Sequence, residues 1–350
     1  MRVLSMVEIG GRWAVRLVVA WCLLTSQSKA LERVTFATNW KAQAEHGGFY
    51  QAVADGTYTK YGLDVKIRQG GPMVNNRALL AVGRVDFLMG SNLIQSFDAV
   101  KQNLPTVVVA ATFQKDAHCL VAHPDQGNET WEDIKQAPLL LGNAGRHTYL
   151  RWLIAAHGFS DRNVRPYTFN LAPFAANKKL VQQAFVTAEP MRIAELLGRE
   201  PNVFLLADYG WSTYSTLIVS RKELVAEKPQ LVQSFVDASI LGWVNYLYGD
   251  RRDADELIRR DNPEMPQSQI DYSVRVMKQR GIVDSGATLT KGIGAISPER
   301  VRDFLKKMTA AGVYEPGEID ADESITLQFV NKGVGVELRQ KLDVSVPNSD

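Results

Sequence analysis

Short apolar strands alternate with helices along the first two thirds of this 350-residue chain, and that alternation limits the folds open to it more than any single motif does. Residues 34–38 are β-branched and apolar, and a helix is expected over 46–55. Residues 63–67 alternate like a half-buried strand and precede a helix over 75–82. The next strand, 85–89, leads through Gly90-Ser91-Asn92 into a helix ending near Gln102. Strands separated by helices of this length build a mostly parallel sheet covered on both faces.

The pattern then breaks and restarts. Residues 106–112 and 118–122 are two apolar strands with too little chain between them for a helix. A second series follows, with strand 138–142 before a helix over 145–157 and strand 184–187 before a helix over 191–197. Strands 203–207 and 216–219 close it, and beyond Lys222 the chain reads as helices, amphipathic over 229–247, 264–280 and 298–311. One αβ series enclosed by another is the pattern of a second lobe inserted into a first. The expectation is a two-lobed α/β fold, with lobe one at 31–115 and 216–342 and lobe two at 116–215. The crossings near 113–118 and 208–216 would form the hinge, and ligands would bind where the strand ends face the crevice. A single larger αβ domain is the alternative.

The N-terminus carries a separate signal. Arg2, Arg12 and Arg16 are basic, residues 17–24 are apolar, and Ser28-Lys29-Ala30 supplies small residues, which together read as a signal peptide over 1–30. The apolar run is roughly half the ~20 residues that cross a bilayer, and the bulky Trp21 before Cys22 speaks against a lipid anchor there. Removing four basic residues (Arg2, Arg12, Arg16, Lys29) and one acidic (Glu8) takes the formal charge from +2 to −1. Nothing then favours a nucleic-acid partner. Cys119 is left as the lone cysteine, so no disulfide is expected. An apolar content of 45% excludes disorder for all but a loose tail at 343–350.

Several phrases resemble one known family. Asn39-Trp40 and Glu45-His46-Gly47-Gly48-Phe49-Tyr50-Gln51-Ala52 look like the opening of the NMT1/THI5-like group. Tyr61-Gly62-Leu63-Asp64-Val65, Gly83-Arg84-Val85-Asp86-Phe87 and Phe185-Val186-Thr187-Ala188-Glu189-Pro190 match further segments in the family's order. The resemblance runs from about 32 to 250. It implies a type II periplasmic-binding-protein-like fold and a periplasmic binding protein, a monomer by default, serving an ABC permease and its ATPase. Its ligand would be a pyrimidine thiamine precursor, with relatives that take sulfonates, nitrate or other solutes. A second branch of the family is a pyrimidine synthase with a reactive Lys and His. The matching positions here are Gly90 and Ile94, so the resemblance implies neither an enzyme nor a cofactor.

Candidate ligand contacts follow from position. Trp40 closes the first strand, where an indole can stack on a flat ring. His46, Gly47 and Tyr50 open the next helix, whose first N–H groups are free. Ser91 and Asn92 sit at the following strand-to-helix turn and would cap the helix or bond a ligand. In lobe two the turn Gly142-Asn143-Ala144-Gly145-Arg146 places Asn143 and Arg146 near the crevice, with Tyr149 one turn on. Glu189, just before Pro190, would accept charge-assisted bonds from an amine and a ring nitrogen. Tyr209 or Trp211, at the hinge return, would complete an aromatic box. His118 and Cys119 fall on opposite faces of a strand, so no metal site is expected.

Overall fold

The computed structural model describes residues 30–71 and 74–345. The expected leader, apart from Ala30, and residues 346–350 of the expected loose tail lie outside them. The strands of the first sheet are β1 (Glu32–Ala37), β2 (Leu63–Arg68), β3 (Phe87–Asn92), β4 (Thr106–Phe113) and β10 (Ser215–Arg221), in the order β2-β1-β3-β10-β4. The second sheet holds β5 (His118–Ala122), β6 (Leu139–Leu141), β7 (Val164–Pro166), β8 (Val181–Phe185) and β9 (Asn202–Leu205), in the order β7-β6-β8-β5-β9. The chain leaves the first sheet after Phe113 and returns to it at Ser215. The two five-stranded sheets with their helices form a two-lobed α/β fold.

The principal helices are α1 (Gly47–Ala54), α2 (Asn76–Ala81), α3 (Leu93–Lys101), α4 (Asn143–His147), α5 (Leu150–His157) and α6 (Glu189–Leu197). After β10 come α7 (Pro229–Tyr248), α8 (Arg252–Asp261), α9 (Gln267–Gln279), α10 (Pro298–Ala310) and α11 (Val336–Ser345). No helix among the described residues is long and apolar enough to cross a membrane.

Several elements differ from the sequence expectation, each for a physical reason. The sheets are mixed, because β10 runs antiparallel to β3 and β4, and β5 antiparallel to β8 and β9. A strand that enters a lobe from the hinge starts at the cleft end of its sheet, where its neighbours finish. β3 continues through Gly90-Ser91-Asn92, read as a turn, because Leu217 pairs with Gly90 and Ser215 with Asn92. β8 starts earlier than expected, its strand character hidden by the buried amides Gln182 and Gln183. The helix expected over 145–157 breaks between α4 and α5, and α11 carries helix three residues into the expected loose tail.

The first lobe is built around Phe235 of α7, whose ring stacks on Phe87 at 4.0 Å and on Tyr58 at 5.4 Å. α7 crosses α1 so closely that three glycines have no room for a Cβ. A Cβ at Gly48 would lie 2.2 Å from the Trp243 ring, one at Gly47 1.9 Å from Tyr246, and one at Gly242 2.2 Å from the Gly48 carbonyl. The Gly47-Gly48 pair therefore exists for helix packing, and that packing holds the N-terminal end of α1 at the cleft.

The two crossings between lobes are tied together by one side chain. Arg300, in the first turn of α10, donates to the carbonyl of Gln114 on the outward crossing at 2.5 Å. It also donates to the carbonyls of Ser212 (2.8 Å) and Thr213 (3.1 Å) on the return. Its guanidinium lies 4.0 Å over the Tyr214 ring, whose hydroxyl accepts the Ser297 N–H. Burial lowers the Arg300 pKa from its usual value, and Tyr214 partly offsets this.

Two outcomes follow from this packing. Arg300→Met should destabilise the protein by about 2–3 kcal/mol, since three carbonyls lose their donor at once, read from the midpoint of urea unfolding. Gly48→Ala should cost about 1–3 kcal/mol through overpacking against Trp243, and unchanged stability would contradict the close helix contact.

Candidate functional site

The cleft ends of the two sheets bring a small set of polar groups together. On the first lobe, Thr38 follows β1 and its hydroxyl donates to the Trp40 carbonyl at 2.8 Å. Gln69 accepts the Ala42 N–H at 2.7 Å, and Asn262 donates to the Ala42 carbonyl at 2.8 Å. These bonds fix the 38–46 segment, which delivers Glu45 and His46 to the start of α1. Both are buried, at 2% and 0% exposure.

On the second lobe, β5 begins at the cleft with His118, opposite Phe185 at the end of β8. Asp116, fully buried, receives both the backbone N–H of His118 (2.9 Å) and its Nδ1 (2.6 Å) on Oδ1, while its Oδ2 has no partner. Glu189 opens α6 and accepts the Phe185 N–H on Oε2 at 2.8 Å. Gln183 accepts the Gly142 N–H at 2.6 Å, and the Tyr149 hydroxyl lies 3.4 Å from the same oxygen.

The lobes meet at Glu45 and Thr187, whose hydroxyl donates to the Glu45 carboxylate. Thr187 is itself held by the first lobe, its carbonyl accepting from Ser273 at 2.6 Å and Gln269 at 3.0 Å. Nearby, Trp40 faces the second-lobe ring of Phe169 at 5.5 Å, and Tyr167 stands 5.2 Å from Phe169 on the other side. Phe169 is 55% exposed and sits in the left-handed backbone region with φ of 62°, a conformation costly for a bulky residue.

Burial dominates the electrostatics. It pushes the Glu45 pKa up to about 7, against the bond from Thr187 and with help from the charge of Glu189. It also raises Glu189, against bonds from the backbone and the charges of His118 and Arg192. His46 goes down to about 3 through burial alone, so its ring is neutral, and neither ring nitrogen has a partner. For His118, burial pushes down, but the charge and hydrogen bond of Asp116, aided by Glu189, outweigh it and raise the pKa. No lysine or arginine among the described residues hydrogen-bonds to Glu45, Glu189 or Asp116. No group of three His, Cys, Asp or Glu side chains among them is arranged to hold a metal ion.

The sequence candidates fall into two sets. Trp40, His46, Tyr149 and Glu189 lie within this assembly. Asn92 caps α3 by accepting the Ile94 N–H at 3.2 Å, and its Nδ2 stays buried without a partner. Ser91 donates its backbone N–H to Gln95, Asn143 is exposed at the start of α4, and Arg146 is half-buried. The other set is occupied elsewhere. Gly47 packs on Tyr246, and the Tyr50 hydroxyl donates to Asp261 at 3.0 Å. Tyr209 stacks on Trp131 at 3.9 Å, and Trp211 is fully buried between Trp152 at 5.1 Å and Phe304 at 5.0 Å. Glu45, Asp116, His118, Thr187, Gln183 and Phe169 were not expected. Two signals pointed to three of them: paired glutamines beside an apolar run for Gln183, and an acid two residues before a histidine at the start of β5 for Asp116 and His118.

The family described as NMT1/THI5 like matches residues 43–249, and the chain belongs to it. The riboflavin-binding protein RibY of Chloroflexus aurantiacus is 24% identical over 314 residues, covering 87% of each chain. Among solved structures, the periplasmic aliphatic sulphonate binding protein SsuA from Escherichia coli superposes with a TM-score of 0.61 at 14% identity, over 85% of this chain and 92% of that one. The periplasmic nitrate-binding protein NrtA from Synechocystis PCC 6803 gives 0.56 at 12% identity, over 91% and 92%. These likenesses show the fold.

The raised Glu45 pKa has a measurable consequence. In the folded protein the carboxyl keeps its proton to about pH 7, while the unfolded chain releases it near 4.5. Stability is therefore lost as pH rises across that window, by up to about 3 kcal/mol. Glu45→Gln should lack this loss, so its melting temperature should gain on the wild type from pH 4.5 to 7 and level off above. Parallel curves would show that Glu45 is not desolvated.

Proposed function

We propose that this chain is the exported solute-binding component of an ABC-type importer and that it takes a flat nitrogen heterocycle, such as an aminopyrimidine or a flavin ring, between its lobes. The observation that carries the ligand class is the set of acceptors at the cleft. Glu45, Glu189 and Asp116 come together there with no hydrogen-bonded lysine or arginine among the described residues, and the His118 imidazole pairs with Asp116. A sulfonate or nitrate, which only accepts, would meet carboxyl oxygens, whereas N–H groups of a heterocycle find acceptors in them. Trp40, Phe169 and Tyr167 offer ring faces at the cleft mouth for stacking. The name of the relative RibY supports the same chemical class.

Mechanism follows from the two lobes. Ligand contacts made from both sides exist only when the lobes are closed, so a ligand shifts the population to the closed form by its greater affinity for it. A permease in the membrane then reads that closed form.

A thermal-shift series with aminopyrimidines, thiamine, riboflavin, alkanesulfonates, nitrate and amino acids tests the reading. A ligand at 100 times its Kd adds about 2.7 kcal/mol to stability. The expected result is a shift with a heterocycle that is lost in Trp40→Ala and weakened in Glu189→Gln. A shift with sulfonate or nitrate alone would overturn the ligand class.

A further inference from the structure

One donor in the cleft has its geometry set in advance. Asp116 is fully buried and fixes His118 from below, taking the Nδ1 and the backbone N–H on one oxygen. The Phe185 ring packs nearly perpendicular to the imidazole at 4.9 Å and the Tyr149 ring lies at 5.3 Å, which together with Asp116 hold it in place. The His118 side chain keeps 20% exposure at the cleft end of β5, and its Nε2 makes no bond to the described protein. Beside it, Glu189 has committed Oε2 to the Phe185 N–H, which leaves Oε1 to accept.

We propose that His118 is a specificity-determining residue, and that its Nε2–H and the free oxygen of Glu189 form a donor–acceptor pair. That pair reads a heterocycle edge on which a ring nitrogen or carbonyl sits next to an N–H. This deepens the ligand reading above and rests on it. Aminopyrimidines and pyrimidinediones both carry such an edge; sulfonates and nitrate do not.

The pair is directional. Asp116 requires a proton on Nδ1, so a neutral His118 has a bare Nε2, which repels the ligand's acceptor. Only the imidazolium donates on both sides. The titratable groups around the ring are Asp116 before β5, Glu189 on α6, Tyr149 between α4 and α5 and Cys119 beside it on β5, with Arg192 and Glu45 reaching it only through Glu189. Asp116 and Glu189 hold the charge on the imidazole, and affinity is therefore lost as pH rises through its titration.

Calorimetric titration of the full chain with riboflavin and with 4-amino-2-methylpyrimidine tests this, using wild type, His118→Phe and His118→Gln from pH 5.5 to 8.5. The expected result is that wild type binds at least one probe and weakens as pH rises. His118→Phe should lose about tenfold or more in affinity at pH 6, the worth of one charged hydrogen bond. His118→Gln, which keeps an N–H donor that does not titrate, should bind with a flattened pH profile. A wild type that binds a probe with His118→Phe equal to it at every pH overturns this inference and leaves the ligand class standing. A wild type that binds neither probe overturns both.

Discussion

The guanidinium of Arg300 is the point on which the geometry between the lobes depends. Two chain crossings joining two lobes give a joint that is free to slide as well as bend, unless the crossings are fixed to each other. Arg300 fixes them by donating to carbonyls on both, at Gln114 and at Ser212 and Thr213, from a helix anchored in the first lobe. A half-buried cation without a carboxylate is costly, and here it is tolerated because backbone carbonyls and the Tyr214 ring face supply the compensating negative potential. A carboxylate in the same place would satisfy the arginine alone and leave the crossings independent.

The cleft uses the same low dielectric in the opposite sense. Glu45 and Glu189 come from different lobes; burial raises the pKa of both, and the charge of Glu189 adds to the rise at Glu45. Their repulsion, the desolvation of Glu45 and the unpartnered polar atoms of His46, Asn92 and Asp116 are all unfavourable. A ligand that donates N–H groups relieves several of these at once, which is how a binding site gains affinity from groups that the protein alone leaves unsatisfied.

Much of the fold was legible because its signal is periodic. Strands β1, β2, β4 and β5 and helices α1, α7 and α10 read directly from apolar spacing, and the break between β4 and β5 marks the passage from one sheet to the other. What was not legible depends on partners distant in sequence. Gln182 and Gln183 look like a loop until β5 and β6 flank them, and Gly90-Ser91-Asn92 looks like a turn until β10 pairs with it. In the site, Trp40 and Glu189 were readable from their place after a strand, but Tyr209 and Trp211 have the same composition and face other aromatic rings. Arg300 carried no signal at all, since a basic residue in the first turn of an amphipathic helix is ordinary.

The position of β10 has a consequence for the order in which the molecule is made. β3 and β4 are not neighbours; β10 lies between them and hydrogen-bonds to both. When residues up to 113 have left the ribosome, the first sheet is still split, with β4 unpaired. It closes only after the whole second lobe and residue 221 have followed. Each crossing runs from an edge strand of one sheet to an inner strand of the other, and although the second sheet is built from one continuous stretch of chain, the first is not. The early-synthesised half must wait for pairings more than a hundred residues away, a topology whose loop-closure entropy makes folding slow and late.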